Sequence, residues 1–168
     1  MIVQTVATQL FKEVMGSYPT GVTVLTTLDT NNKPVGLTVN SFASVSLDPL
    51  MILWSIDKNA GSCEVFKQAE KFSVNILSGE QQEVCWTFAS KSEQNRFSKH
   101  PWSLSKNNLP VLDNVFASLE CKKVQQIDAG DHYILIGEVL EVTKNEQDPM
   151  LYFRRKVGNV PEQWEKEN

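Results

Sequence analysis

Nine residues in the first third of the chain, Thr38-Val39-Asn40-Ser41-Phe42-Ala43-Ser44-Val45-Ser46, crowd hydroxyl and amide side chains into a place where a strand would favour bulky apolar ones. Serine and asparagine offer the backbone local hydrogen bonds that compete with a sheet ladder, so the pattern predicts an irregular turn. Such a turn points backbone N–H groups and hydroxyls outward, which suits the polar edge of a heteroaromatic ring or a phosphate. An ordinary strand with a polar outer face gives a similar alternation. The residues alone leave both readings open.

Two other places carry chemistry-bearing side chains. Lys58-Asn59-Ala60-Gly61-Ser62 precedes a predicted helix. Asn59 or Ser62 can cap that helix, and a helix N-terminus with a lysine beside it is a ready anion site. Gly130-Asp131-His132 opens a predicted strand. An imidazole can donate a proton near neutral pH, and an Asp131–His132 pair can equally serve only to shape the turn. His100, beside Pro101 in a polar stretch, is expected at the surface.

Other catalytic patterns are missing. The chain has no Gly-x-Ser-x-Gly elbow, no Walker loop and no Gly-x-Gly-x-x-Gly run. Its carboxylates are scattered without a strong pair. A protein that binds and orients a reactive cofactor needs none of these. Cys63, Cys85 and Cys121 are odd in number and lack metal-ligand spacing, so they read as reduced, buried apolar filler, and no metal site is expected.

The elements that must position these residues are readable from periodicity. Val6, Leu10, Phe11 and Val14 share one face of a helix over residues 6–15. Residues 21–28 alternate as a strand, with Val22 and Val24 on one face and Thr23 and Leu25 on the other. Turn residues Asp29 to Pro34 predict a hairpin into a return strand carrying Val35, Leu37 and Val39. Residues 42–47 and 50–56 are further strands, broken at Asp48-Pro49. Helices are predicted over 60–69 and 80–89, with a strand over 72–77 between them. Residues 90–108 read as a polar excursion over the surface with room for one helical turn. Residues 115–127 and 132–142 form a hairpin, and 151–153 a short last strand.

Many strands, few helices and no strand–helix rhythm predict a mainly β fold with peripheral helices, a barrel or closed sandwich, and disfavour a Rossmann fold. No repeat, low-complexity block or linker divides residues 1–168, which read as one domain. The 168 residues are 41% hydrophobic and 21% charged, close to the globular average, which argues against disorder. A net charge of -4 with basic residues scattered, apart from Lys122-Lys123 and Arg154-Arg155-Lys156, argues against nucleic acid as a partner. Those short clusters suit solvated faces or local phosphate contacts. The N-terminus lacks the apolar core of a signal peptide, and the apolar stretch Pro49 to Ile56 is too short to span a bilayer. No membrane association and a cytoplasmic location are expected.

Taken together the segments resemble the flavin reductase-like family of short-chain flavin reductases. Pro19-Thr20-Gly21-Val22-Thr23-Val24-Leu25-Thr26-Thr27 resembles that family's opening strand. The run Gly36 to Pro49 resembles its flavin-binding segment, and the run Gly130 to Val139 its Gly-Asp-His strand. Ser92-Glu93-Gln94-Asn95-Arg96-Phe97 and Leu151-Tyr152-Phe153-Arg154 also fit, in family order over about residues 8–158. The resemblance implies an FMN-binding split β-barrel that forms a homodimer. It implies an NAD(P)H:flavin oxidoreductase that reduces FMN or FAD with NADH or NADPH and supplies a partner flavin-dependent monooxygenase. A flavoprotein holding FMN tightly for electron transfer or ferric reduction, and a non-enzymatic flavin-binding module, are the alternatives on the same fold. By similarity, Thr38, Val39, Asn40 and Ser41 line the isoalloxazine edge. Ser44, Val45 and Ser46 follow the ribityl chain and phosphate, with Lys58, Ser62 and Arg96 as candidates for the phosphate end. His132 sits near the nicotinamide. Relatives often carry serine where this chain has Asn40, a departure that bears on flavin affinity or on FMN against FAD. No clear basic site for a 2′-phosphate stands out, which leans towards NADH.

Overall fold

Val24, Leu25, Trp54, Phe72, Val74, Cys121 and Leu135 are closed to solvent, yet they are spread over more than a hundred residues of sequence. A curled sheet brings them together. The computed structural model describes residues 2–164. It opens with helix α1 (Ile2–Gly16), then strands β1 (Thr20–Gly21), β2 (Thr23–Leu28), β3 (Pro34–Val39), β4 (Ala43–Leu47) and β5 (Leu50–Asp57). Helix α2 (Cys63–Gln68), β6 (Lys71–Ile76), α3 (Gln82–Ala89) and α4 (Arg96–Lys99) follow. The remainder is β7 (Trp102–Leu104), β8 (Pro110–Leu112), β9 (Ala117–Ala129), β10 (His132–Lys144), β11 (Leu151–Phe153), β12 (Lys156–Gly158) and a 3-10 turn over Glu162–Trp164.

Seven strands form one antiparallel sheet in the order β3-β2-β6-β9-β10-β5-β4. In a flat sheet β3 and β5 would lie roughly 24 Å apart. Here Leu37 and Val39 of β3 pack on the same core as Ile52, Trp54 and Ile56 of β5. The sheet has therefore rolled into a barrel with its seam between β3 and the β5–β4 side, and residues 40–42 cross that seam. This is one of the two closed architectures that the strand pattern allows, and the split barrel that the resemblance implies.

A second core lies outside the barrel wall, where Val22, Val24 and Leu77 pack against Val84, Cys85 and Phe88 of the α3 region. Both faces of β2 are thereby covered, Thr23, Thr26 and Thr27 included. The alternation read in residues 21–28 distinguishes barrel interior from helix-covered exterior rather than core from solvent. Close packing of α3 on β3 depends on Gly36, where a Cβ would come within 2.9 Å of Phe88 Cε1 and 3.1 Å of the Leu25 carbonyl oxygen.

Two expectations need correction. The excursion expected over residues 90–108 does lie at the surface and holds one helical turn, α4, but it also contains β7, which pairs with β8 as a small antiparallel sheet. That sheet folds His100 inward, so this histidine is 8% exposed rather than a surface residue, with its ring 6.1 Å from that of Phe88. The first helix begins earlier than the periodicity marks, and its apolar face (Val6, Leu10, Phe11 and Val14) is exposed.

Candidate functional site

The segment over residues 38–46 lies along the barrel seam, and three side chains fix its course. The Thr38 hydroxyl donates to the Cys85 carbonyl of α3 at 2.8 Å. The Ser41 hydroxyl donates to the Ser55 carbonyl at 3.0 Å and accepts from the Ser55 N–H at 3.1 Å, stapling the crossing to β5. Arg96 donates from Nη1 to the Gly36 carbonyl at 2.8 Å and from Nη2 to the Ser90 carbonyl at 2.6 Å. The hydroxyls of Thr38 and Ser41 thus brace the backbone, and Arg96 holds the strand that leads into the segment. None of these long-range partners has a sequence signal; spacing alone could not have found Ser55 or Cys85.

Beyond the staple the chain is open. Asn40 is exposed, and in β4 every residue but the half-buried Ser46 is exposed, Val45 included. The register against β5 slips between Ser44 and Ser46, which bulges the strand at Val45. The Ser46 hydroxyl accepts from the Asp48 N–H at 3.2 Å and closes the hairpin. β4 is also the last strand of the sheet, so alternate N–H and C=O groups on its free side face outward without a strand partner. Val39 and Phe42 pack back onto the barrel core. The irregular turn predicted here is present, with an apolar wall behind a polar backbone edge.

The second cluster sits close by on the same strands. His132 lies opposite Asp57 in the β10–β5 ladder and Ile134 opposite Ser55. Ser55 and Asp57 share a face of β5, so the Ser41 staple and the His132 position are about 7 Å apart along the strand. His132 Nδ1 is 2.7 Å from Asp131 Oδ1, a contact that holds the Asp131 carboxyl below its usual range. The Asp131 carbonyl accepts from the Lys58 N–H at 3.0 Å, tying the start of β10 to the end of β5.

Lys58 itself donates from Nζ to Asp128 Oδ1 and to the Gly130 carbonyl, both at 2.7 Å, and rides 4.9 Å over the Tyr133 ring. The bond to Asp128 raises its pKa. Ser62 is nearly buried, and at the start of the six-residue α2 its side chain makes no cap hydrogen bond. Lys58 and His132 are thus joined through Asp131, whereas Arg96 is engaged with the Gly36 and Ser90 carbonyls.

The thiols offer no chemistry at neutral pH. Cys63, Cys85 and Cys121 are free and buried, and burial pushes Cys85 up to about 11 and Cys121 up to about 12. The concave spaces elsewhere, one of about 380 Å³ between Gln81, His100 and Asp113 and one of about 500 Å³ beside α1, share no lining residue with the 38–46 segment.

Comparison with known proteins finds relatives over most of the chain. The profile of the family described as Flavin reductase like domain matches residues 15–161. A flavin reductase of Pseudomonas putida is 42% identical over 147 residues, covering 88% of this chain and 86% of that protein. The reductase component of the flavin-dependent trigonelline monooxygenase of Acinetobacter baylyi is 43% identical over 143 residues. That match covers 85% of this chain but only 46% of the relative, so the chain spans about half of that protein's length. Among solved structures, the NADH:FAD oxidoreductase of Streptomyces globisporus in complex with NAD and FAD fragments superposes with a TM-score of 0.86 at 30% identity, covering 92% of this chain and 93% of that one.

Proposed function

Because the chain belongs to the flavin reductase-like domain family, we propose that it is an NAD(P)H:flavin oxidoreductase that reduces FMN or FAD and supplies the reduced flavin to a flavin-dependent monooxygenase. The observation that carries this reading is the open backbone edge over residues 40–47, which starts at the Ser41–Ser55 staple, two residues along β5 from the Asp57–His132 pair. An isoalloxazine ring has an apolar face and one edge of alternating donors and acceptors. An unpaired strand edge before the Val39 and Phe42 wall offers the complement.

Bound flavin would supply the ring that accepts hydride, and the nicotinamide nucleotide would supply the hydride. The chain's part is binding and orientation. Thr38 and Ser41 hold the segment rigid, so N–H groups near Val39, Asn40 and Ser41 meet the ring edge without reorganising. Ser44, Val45 and Ser46 follow the ribityl chain. An ammonium has three protons, and Asp128 and Gly130 take two of those on Lys58, leaving one for a phosphate oxygen near Ser62. His132, its ring fixed by Asp131, orients the nicotinamide. The exposure of β4 favours flavin that exchanges with solvent over flavin held permanently.

A homodimer fits the outer face of the same sheet. Met51 and Leu53 of β5, Ile134 and Ile136 of β10 and Ile127 of β9 point away from the barrel core, side by side in the ladder. An apolar sheet face beside the site suits a second copy. Among the described residues no helix is long and apolar enough to cross a membrane, and three buried free thiols fit a cytoplasmic setting.

Oxidation of NADH and NADPH by the purified protein tests the reading. The rate is expected to rise and saturate with added FMN or FAD. Flavin binding without nicotinamide oxidation would leave a binding module. Turnover independent of added flavin would leave a tightly loaded electron carrier.

Replacing His132 with alanine is expected to lower kcat/KM for NADH about tenfold, the loss of roughly one orienting contact. Most of that change should lie in KM, because hydride moves between bound rings and not through the imidazole. Unchanged turnover and unchanged nicotinamide binding would remove His132 from the site.

A further inference from the structure

The hollow of about 500 Å³ beside α1 is lined by Gln9, Lys12, Glu13, Gly16, Ser17, Arg154 and Arg155. Three of those seven residues are cations, in a chain whose net charge is -4. Among the described residues the ion pairs take up Lys58, Lys67, Lys99, Lys106 and His132, and none of Lys12, Arg154 or Arg155. Glu13 stands at the same hollow and pairs with none of the three.

The backbone adds a second observation. Phe153 and Lys156 are paired across β11 and β12, so Arg154 and Arg155 alone make the turn. Both have positive φ, 49° and 62°. A two-residue turn of this kind strongly prefers Asn-Gly, and each arginine held there costs about 1 kcal/mol. The first is also anchored to the end of α1, with the Arg154 N–H donating to the Gly16 carbonyl at 2.9 Å and its Nε to the Ser17 hydroxyl at 3.2 Å. Two exposed arginines on a strained turn thus line the α1 hollow together with Lys12, the first of them anchored to the end of α1.

We propose that this hollow binds a dianionic phosphate group. A dianionic phosphate has three acceptor oxygens and matches planar guanidinium donors on two sides with an ammonium on the third. The volume leaves room for the group that carries it. Free phosphate and the 2′-phosphate of NADPH share this chemistry. The hollow shares no residue with the flavin segment, so the proposal does not depend on the reading above. It groups Lys12 with two arginines that lie more than a hundred residues later in the sequence.

Calorimetric titration of the flavin-free protein with inorganic phosphate, NADPH and NADH tests it, alongside Arg155→Gly and Lys12→Ala. Phosphate is expected to bind, more weakly as salt rises, and each substitution to weaken it about tenfold. Arg155→Gly should also leave the melting temperature unchanged or higher, because glycine removes the cost of the positive φ. Loss of binding together with retained stability separates a ligand contact from a structural one. NADPH binding tighter than NADH, with the difference lost in Arg155→Gly, would assign the 2′-phosphate as the source. Equal binding of both nucleotides, with phosphate still bound, would assign free phosphate. No phosphate binding, or affinity unchanged in both variants, would overturn the proposal, whatever the result of the flavin assay.

Discussion

Trp54→Ala is expected to cost about 3–5 kcal/mol of folding stability, a large share of the roughly 5–15 kcal/mol that holds such a domain together. The indole is fully buried at the middle of β5. Its ring meets Phe66 of α2 edge-on at 5.0 Å and Phe72 of β6 at 5.7 Å. The three rings tie α2 and β6 to the middle of β5, and truncating the indole there leaves a cavity among them. Trp54→Phe should cost far less, about 1–2 kcal/mol, for a reason beyond size. The indole N–H is buried without a hydrogen-bond partner, and phenylalanine has no donor to strand there. Urea unfolding of both variants checks this. Equal midpoints for the alanine variant and the parent would mean that the aromatic cluster is not the barrel's keystone.

That cluster also shows what the sequence could and could not reveal. The strand of Trp54 was legible, because Ile52, Trp54 and Ile56 point inward while Met51, Leu53 and Ser55 point outward, the alternation that a sheet imposes. The hairpin at Asp29–Pro34 was legible for the same kind of reason: the Asp29 carboxylate accepts from the N–H groups of Asn31 and Lys33, which is local turn chemistry. β7, β8 and β12 escaped notice. Each has three residues, too few for a period to show, and each exists through pairing with a neighbour. His100 was misplaced because its burial depends on such a pair. In the 38–46 segment hydroxyl and amide crowding is a local signal that leaves an irregular turn and a polar-faced strand both open, and the structure has both, a break over residues 40–42 between β3 and β4. Its bracing was not visible, because Ser41–Ser55, Thr38–Cys85 and Arg96–Gly36 are separated by 14, 47 and 60 residues. Local chemistry says that a segment will leave the ladder; only the closed barrel says what will catch it.

The bracing can be tested through Arg96, whose alanine variant is expected to lose about 2 kcal/mol of stability and to raise the KM for flavin about tenfold. Two carbonyls, Gly36 and Ser90, share one half-buried guanidinium. Gly36 begins the run into Thr38, and Ser90 ends α3. Without the side chain both oxygens lose a charged donor, and β3 is freed from the helix that Thr38 also grips. The flavin edge would then be formed by a backbone that must be ordered at the moment of binding, so the cost falls on KM while kcat at saturating flavin changes little. Arg96→Lys distinguishes this account from a direct phosphate contact. A lysine keeps the charge that a phosphate would feel, but a single ammonium cannot reproduce the planar fork between two carbonyls. Under the bracing account the lysine variant should lose most of what the alanine variant loses, in stability and in KM alike. If instead the lysine variant kept flavin affinity, and the alanine variant lost affinity with its unfolding midpoint unmoved, Arg96 would be a phosphate ligand and the seam would owe its order to Ser41 and Thr38 alone.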